Sequence, residues 1–209
     1  MDIRRHPNHP PTPSGPRSAG GRRRPLRVWP VLLALLLPSA APAVTHSVLL
    51  GDAKMTAKRF ANYFADFGYE YHPEIQPVDY FLGSQRGDCD DYALLADEVL
   101  RHRQFTTTLV HIRLAGMVAH AVCYVQQDRV YLDYNNRNVF FTLSRCRASL
   151  REIAEKVADS LEADWTSVSA FTYSYDTGQK QMIRTIAKVD PAGPDDLPVA
   201  PVNSRLLVQ

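Results

Sequence analysis

Apolar residues return at helical spacing in residues 56–68, where Phe60, Tyr63, Phe64 and Phe67 share a face, Thr56 suits an N-cap and Gly68 a C′ position. That pattern predicts a first helix. The stretch from Tyr69 to Gly83 carries His72-Pro73 and Gln76-Pro77, so it reads as a loop with one helical turn over residues 78–82. From Asp88 the helical period resumes: Tyr92, Leu95, Ala96, Val99 and Leu100 fall on one face of a helix ending near His102. Asp88 is its natural N-cap, and Asp91, three positions on, approximates a capping box. Cys89 then becomes the first residue inside the helix.

Beyond that helix the period falls to two. Residues 106–114 alternate as a strand that Gly116 breaks. Residues 118–125 and 130–134 are strand-like runs joined by the polar connection Gln126-Gln127-Asp128-Arg129. A symmetric hairpin pairs Val125 with Val130 and therefore Val122 with Asp133. Opposite residues share a face and alternate residues return to it, so His120 and Asp133 project from one side as diagonal neighbours, with Cys123 on the other. Ser149-x-x-Glu152 opens a further helix whose apolar face is Leu150, Ile153, Val157 and Leu161. Residues 168–175 and 180–188 read as a hairpin across Asp176-Thr177-Gly178. Helices precede paired strands, which predicts an α+β fold with a mostly antiparallel sheet.

A chain of 209 residues accommodates one domain with tails, and no internal repeat points to a solenoid. Seven Arg and a single acid lie in residues 1–43. Without that segment the formal charge changes from +2 to −4, which argues against a nucleic-acid partner. Residues 21–27 form a cationic stretch, residues 28–37 an apolar run interrupted by Pro30 and ended by Pro38, and Ala41-Pro42-Ala43 a small-x-small cleavage site. This predicts a signal peptide cut after Ala43, export to the periplasm or medium, and no stable membrane insertion of the mature chain. An uncleaved anchor is the alternative. The predicted organisation is residues 1–43 as disordered n-region and signal, 44–188 as the folded domain, and 189–209 as a flexible Pro- and Asp-rich tail.

Three cysteines in an exported chain leave one over whatever pairs. Cys123 and Cys146 are the pair available for a disulfide, leaving Cys89. A thiol at a helix N-terminus gains from unpaired amides that favour the thiolate. An imidazole is needed to take its proton and hand it to a leaving amine, and a carboxylate to fix the imidazole's tautomer. His120 and Asp133 suit those roles, the Cys89 N–H suits an oxyanion donor, and Gln85 a second one. His120-x-x-Cys123 with Cys89 does not make a zinc site, because strand alternation separates His120 from Cys123 and a fourth ligand is missing. His72, His102 and His111 lack motif context and read as surface or structural.

Gly87-Asp88-Cys89-Asp90-Asp91-Tyr92-Ala93, Ala119-His120-Ala121-Val122 and Tyr131-Leu132-Asp133 together resemble the Cys, His and Asp blocks of the transglutaminase-like superfamily. Tyr80-Phe81-Leu82-Gly83 extends the likeness to the approach to the cysteine. Within the superfamily the chain is most similar to bacterial transglutaminase-like cysteine proteinases, periplasmic enzymes that clip biofilm adhesins, although its blocks are more closely spaced. The resemblance implies a transglutaminase/papain-like fold with the nucleophile opening a helix, and Cys89, His120 and Asp133 as the catalytic set. It also implies a protein or peptide substrate, and Ca²⁺ held by Asp88 and Asp90. Asp88, Asp90 and Asp91 oppose a thiolate at Cys89 by like charge, so a counterion is called for, either protonated His120 or a cation. The expected activity is hydrolysis of a peptide or amide through a thioester. An amine-transferring transglutaminase and a non-catalytic binding module of the same fold stand as alternatives.

Overall fold

Thr45 and Thr56 each end an extended segment and accept a hydrogen bond from the N–H three residues on, opening α1 (His46–Gly51) and α2 (Ala57–Tyr63). The chain is described by a computed structural model over residues 43–136 and 145–189. The predicted signal segment short of Ala43, and the predicted tail beyond Val189, lie outside the described residues. α1 was not expected, since six residues are too few to display a period. α2 ends earlier than its apolar spacing suggested. Phe64 N–H turns to the Ala61 carbonyl and Phe67 N–H to the Phe64 carbonyl, tightening the chain. Gly68 is therefore no helix cap. It enters a short parallel pair, β1 (Gly68–Tyr69) with β2 (Arg86–Gly87). Between them α3 (Val78–Ser84) runs for seven residues rather than one turn, and Gln85 closes it in the left-handed region at φ 54°.

α4 (Cys89–His102) is the central helix, with ten of its fourteen residues buried. Phe60, Phe64, Phe67 and Phe81 gather with Tyr92 into an aromatic cluster on one side of it. On the other side lies a five-stranded antiparallel sheet in the order β5-β4-β3-β6-β7. Its strands are β3 (Thr107–Leu114), β4 (His120–Val125), β5 (Val130–Leu132), β6 (Trp165–Ser174) and β7 (Gln179–Ala187). Val125 pairs with Val130 and Cys123 with Leu132, the register expected from the hairpin length. α5 (Leu150–Ser160) opens where Ser149 accepts the Glu152 N–H.

Strand alternation divides the interior in two. Leu109, Ala121, Cys123, Val125, Val130 and Leu132 pack with α4, whereas Val110, Ile112, Val122, Tyr124 and Tyr131 pack with α5. Burying each Val, Leu or Ile among them contributes about 1.5–3 kcal/mol. Cys123 belongs to the first cluster and Cys146 to the second, so the sheet stands between them and both thiols are free. The alternative of a Cys123–Cys146 disulfide is thereby set aside. Among the described residues no helix is long and apolar enough to cross a membrane.

Candidate functional site

The start of α4 is fixed by two carboxylates. Asp88 is the N-cap: its Oδ1 accepts the Asp90 N–H at 3.0 Å and the Asp91 N–H at 3.4 Å, while Asp91 Oδ2 accepts the Asp88 N–H at 3.2 Å. This completes the capping box. The remaining oxygens tie down the preceding loop, Asp88 Oδ2 taking the His72 N–H at 3.0 Å and Asp91 Oδ1 the Gln76 N–H at 2.8 Å. Gly87 is required just before the cap. A Cβ there would meet the Phe81 ring at 2.5 Å and Asp91 Oδ2 at 2.9 Å. Cys89 follows as the first helical residue, 8% exposed, and its N–H is one of those an α-helix leaves without an internal partner.

His120 opens β4 and Asp133 follows the end of β5, so the antiparallel hairpin brings them together. His120 Nε2 and Asp133 Oδ1 are 2.9 Å apart, with the residues 5% and 1% exposed. Asp133 also accepts the Asn135 N–H at 2.9 Å and the Asn136 side-chain amide at 2.8 Å. The Cys89 sulfur stands near enough to the His120 ring to favour its protonated form. With Nε2 committed to Asp133, Nδ1 is the nitrogen left for the sulfur. Burial disfavours charge on His120, but the Asp133 carboxylate and the Cys89 sulfur outweigh it and raise the imidazole from 6.5 to about 10. Burial likewise acts against an ionised Asp133, and the His120 charge together with the His and Asn hydrogen bonds overcomes it, holding the carboxyl below its ordinary value.

Other residues around the cysteine had no sequence signal. Lys180 reaches from β7 to place Nζ 3.9 Å from Asp90 Oδ1 and 4.1 Å from the Phe171 ring centroid. Its neighbourhood also includes His111, edge-on to Phe171 at 6.4 Å. Burial, then Lys180, Arg113 and His120, push the His111 imidazole down to about 4, so it is neutral near pH 7. Only the β6–β7 register places Lys180 here, and no local pattern reports it. Asn135 and Asn136 were more legible, as a polar turn directly after the carboxylate. Gln85 stands exposed, its carbonyl accepting the Gly68 N–H and its N–H donating to Phe81. Cys123 and Cys146 are buried thiols held above the ordinary range, Cys146 at about 12.

Calcium takes about six to eight oxygen ligands. Asp88's two oxygens already accept three backbone N–H groups, and an ammonium faces Asp90. Among the described residues no three His, Cys, Asp or Glu side chains converge as a metal site. Asp88 and Asp90, the pair to which the sequence resemblance assigned calcium, here meet backbone N–H groups and the Lys180 ammonium.

Taken by its geometry, the site is a buried Cys-His-Asp cluster on a mixed helix and antiparallel-sheet framework. No protein-family model matches the chain, and no curated protein matches it. Among solved structures it is similar to calcium-bound Legionella pneumophila LapG, at 13% identity and a TM-score of 0.42, over 69% of this chain and 80% of that one. The EGTA-treated form of the same protein gives 13% identity and a TM-score of 0.39, over 66% and 78%.

Proposed function

We propose that this chain is a transglutaminase-like cysteine hydrolase, a peptidase or amidase in which Cys89 is the nucleophile, His120 the acid and base, and Asp133 the group that orients His120. The observation that supports this most is the buried 2.9 Å His120–Asp133 contact, on an imidazole whose protonated form the Cys89 sulfur also favours. With its imidazole raised to about 10, His120 already holds the thiol proton near pH 7, and in the first half-reaction the Cys89 thiolate Sγ bonds to the amide carbon, placing negative charge on the carbonyl oxygen. The Cys89 N–H donates to that oxygen, with Gln85 as the proposed second donor. Collapse re-forms the C=O bond and breaks C–N, and the imidazolium protonates the departing amine, leaving a thioester. Water then gives a proton to His120 as its oxygen attacks the thioester. Expulsion of Sγ as a thiolate, with that proton kept on His120, releases the acid and restores the starting ion pair. Asp133 stays ionised throughout and fixes the tautomer.

The reading extends to cell biology: residues 1–43 direct export and are removed after Ala43, residues 44–188 carry the activity in the periplasm or medium, and the substrate is a protein or peptide. Two measurements test it. Iodoacetamide near neutral pH, followed by peptide mapping, should modify Cys89 well before Cys123 and Cys146. The exported proteins of cells carrying wild type should show cleavage products that disappear with Cys89→Ala, together with a mature N-terminus at Val44. An inert Cys89, or cleavage patterns identical in both strains, would refute the hydrolase. A thioester captured by added amines faster than by water would turn the reading towards amine transfer.

A further inference from the structure

The face of the sheet that α4 covers extends past the start of that helix. His111 and Arg113 alternate with Leu109 on this face, and burial decreases along it from Leu109 through half-buried His111 to exposed Arg113. Here a cavity of about 340 Å³ is lined by His111, Arg113, Leu114, Met117, Ala119 and Thr166. The His120 charge is felt at His111, one of the cavity's lining residues. Ala119 directly precedes His120, and Ile112, between His111 and Arg113, is the register partner of His120.

The charge in this cavity is one-sided. None of its lining residues is acidic, and the Arg113 guanidinium makes no ion pair with any of the described residues. Lys180 adds a second cation at Phe171, the ring that His111 also packs against. Asp90 is the acid facing Lys180, and it stands outside this cavity, helping to line another with Glu74 and Asp88. A guanidinium offers a planar fork that matches a carboxylate in two parallel hydrogen bonds. Leu114 and half-exposed Met117 offer apolar contact for the methylenes behind such a carboxylate.

We infer that this cavity is a substrate subsite for an Asp or Glu side chain of a peptide lying across Cys89, with Arg113 as the residue that selects it. The inference rests on Cys89 marking the point where substrate binds, but not on turnover, so it is tested on protein that cannot react. Cys89→Ala protein is mixed with a positional library of capped, amidated hexapeptides, which carry no terminal carboxylate, and the retained peptides are read by mass spectrometry. One position should prefer Glu or Asp over Gln and Lys, by about tenfold for Glu over Lys. Arg113→Glu should reverse that preference, and Arg113→Gln should abolish it. A library with free C-termini is the second arm.

No acidic preference at any position, retention only of peptides with a free C-terminal carboxylate, or a preference untouched by either Arg113 variant would overturn the subsite. So would the absence of any retained peptide. Arg113 is exposed, and an unchanged thermal midpoint verifies that the variants fold. Failure of the hydrolase reading looks different: the acidic peptides bind Cys89→Ala protein, and Cys89-intact protein leaves them uncut.

Discussion

Replacing Asp133 with Asn removes one charge and almost no volume from beneath His120, which makes it the sharpest probe of the buried pair. In wild type the imidazole rises from 6.5 to about 10, equivalent to roughly 5 kcal/mol of preference for the protonated ring. The sign follows from linkage. A histidine whose folded value lies above its unfolded one contributes stability in full below 6.5 and loses it as the pH climbs through about 10. Asp133→Asn leaves a buried imidazole without a counter-charge, so burial prevails and the ring becomes neutral near pH 7. Breaking such a pair costs about 3–5 kcal/mol. The cost should be nearly full below 6.5 and small near 10. Denaturant unfolding of both proteins at those two conditions gives the difference, in which titrations common to both cancel. NMR of the His120 ring should show it titrating below 6.5 in the variant. A penalty of equal size at both conditions would refute the charged pair and leave only a lost hydrogen bond.

Three further outcomes follow from the start of α4. Gly87→Ala drives a methyl group into Phe81 and Asp91 and should cost about 1–3 kcal/mol; an unchanged thermal midpoint would show that Phe81 moves aside freely. Asp88→Ala loses the cap and the His72 tie, at about 1–2 kcal/mol, whereas Asp88→Asn should recover the cap, where its amide oxygen accepts, but not the His72 tie, which its NH2 group cannot accept; equal losses for the two would assign the effect to charge instead. Adding EGTA or Ca²⁺ should leave the melting temperature unchanged, since Asp88 is bound to amides and Asp90 faces Lys180, and a calcium-dependent rise would mean that Asp90 exchanges the ammonium for the ion.

What the sequence disclosed was whatever depends on period and local chemistry. The capping box at Asp88 and Asp91, the Ser149 cap and the 125–130 register are short-range, and each stands as expected. The pairing of His120 with Asp133 follows from that register alone. α1 and the length of α3 escaped because short helices held by tertiary contacts display no period. The early end of α2 was hidden for a related reason, since Phe64 and Phe67 are buried by the aromatic cluster whether or not they are helical. Lys180, His111 and Arg113 come to the site through sheet order β4-β3-β6-β7, which nothing in their own neighbourhoods encodes.

The three acids around Cys89 present a charge problem in the sequence that the fold resolves without spending it on the sulfur. Asp88 and Asp91 direct their oxygens to backbone N–H groups of residues 72, 76, 88, 90 and 91, and Asp90 faces an ammonium at 3.9 Å. The solution is not free. Burial, only partly offset by the Gln76 and Asp88 amides, raises Asp91 from 3.8 to about 6. Ionised Asp91 therefore lowers stability by roughly 3 kcal/mol above that value, a penalty that fades as the pH falls from about 6 to 3.8. Its two accepted hydrogen bonds show what this carboxylate does: one side chain holds the Asp88 N–H at the helix cap and fastens the loop at Gln76. The expense therefore fixes the residue before Cys89 and the loop beside it, at the start of the helix that this thiol opens.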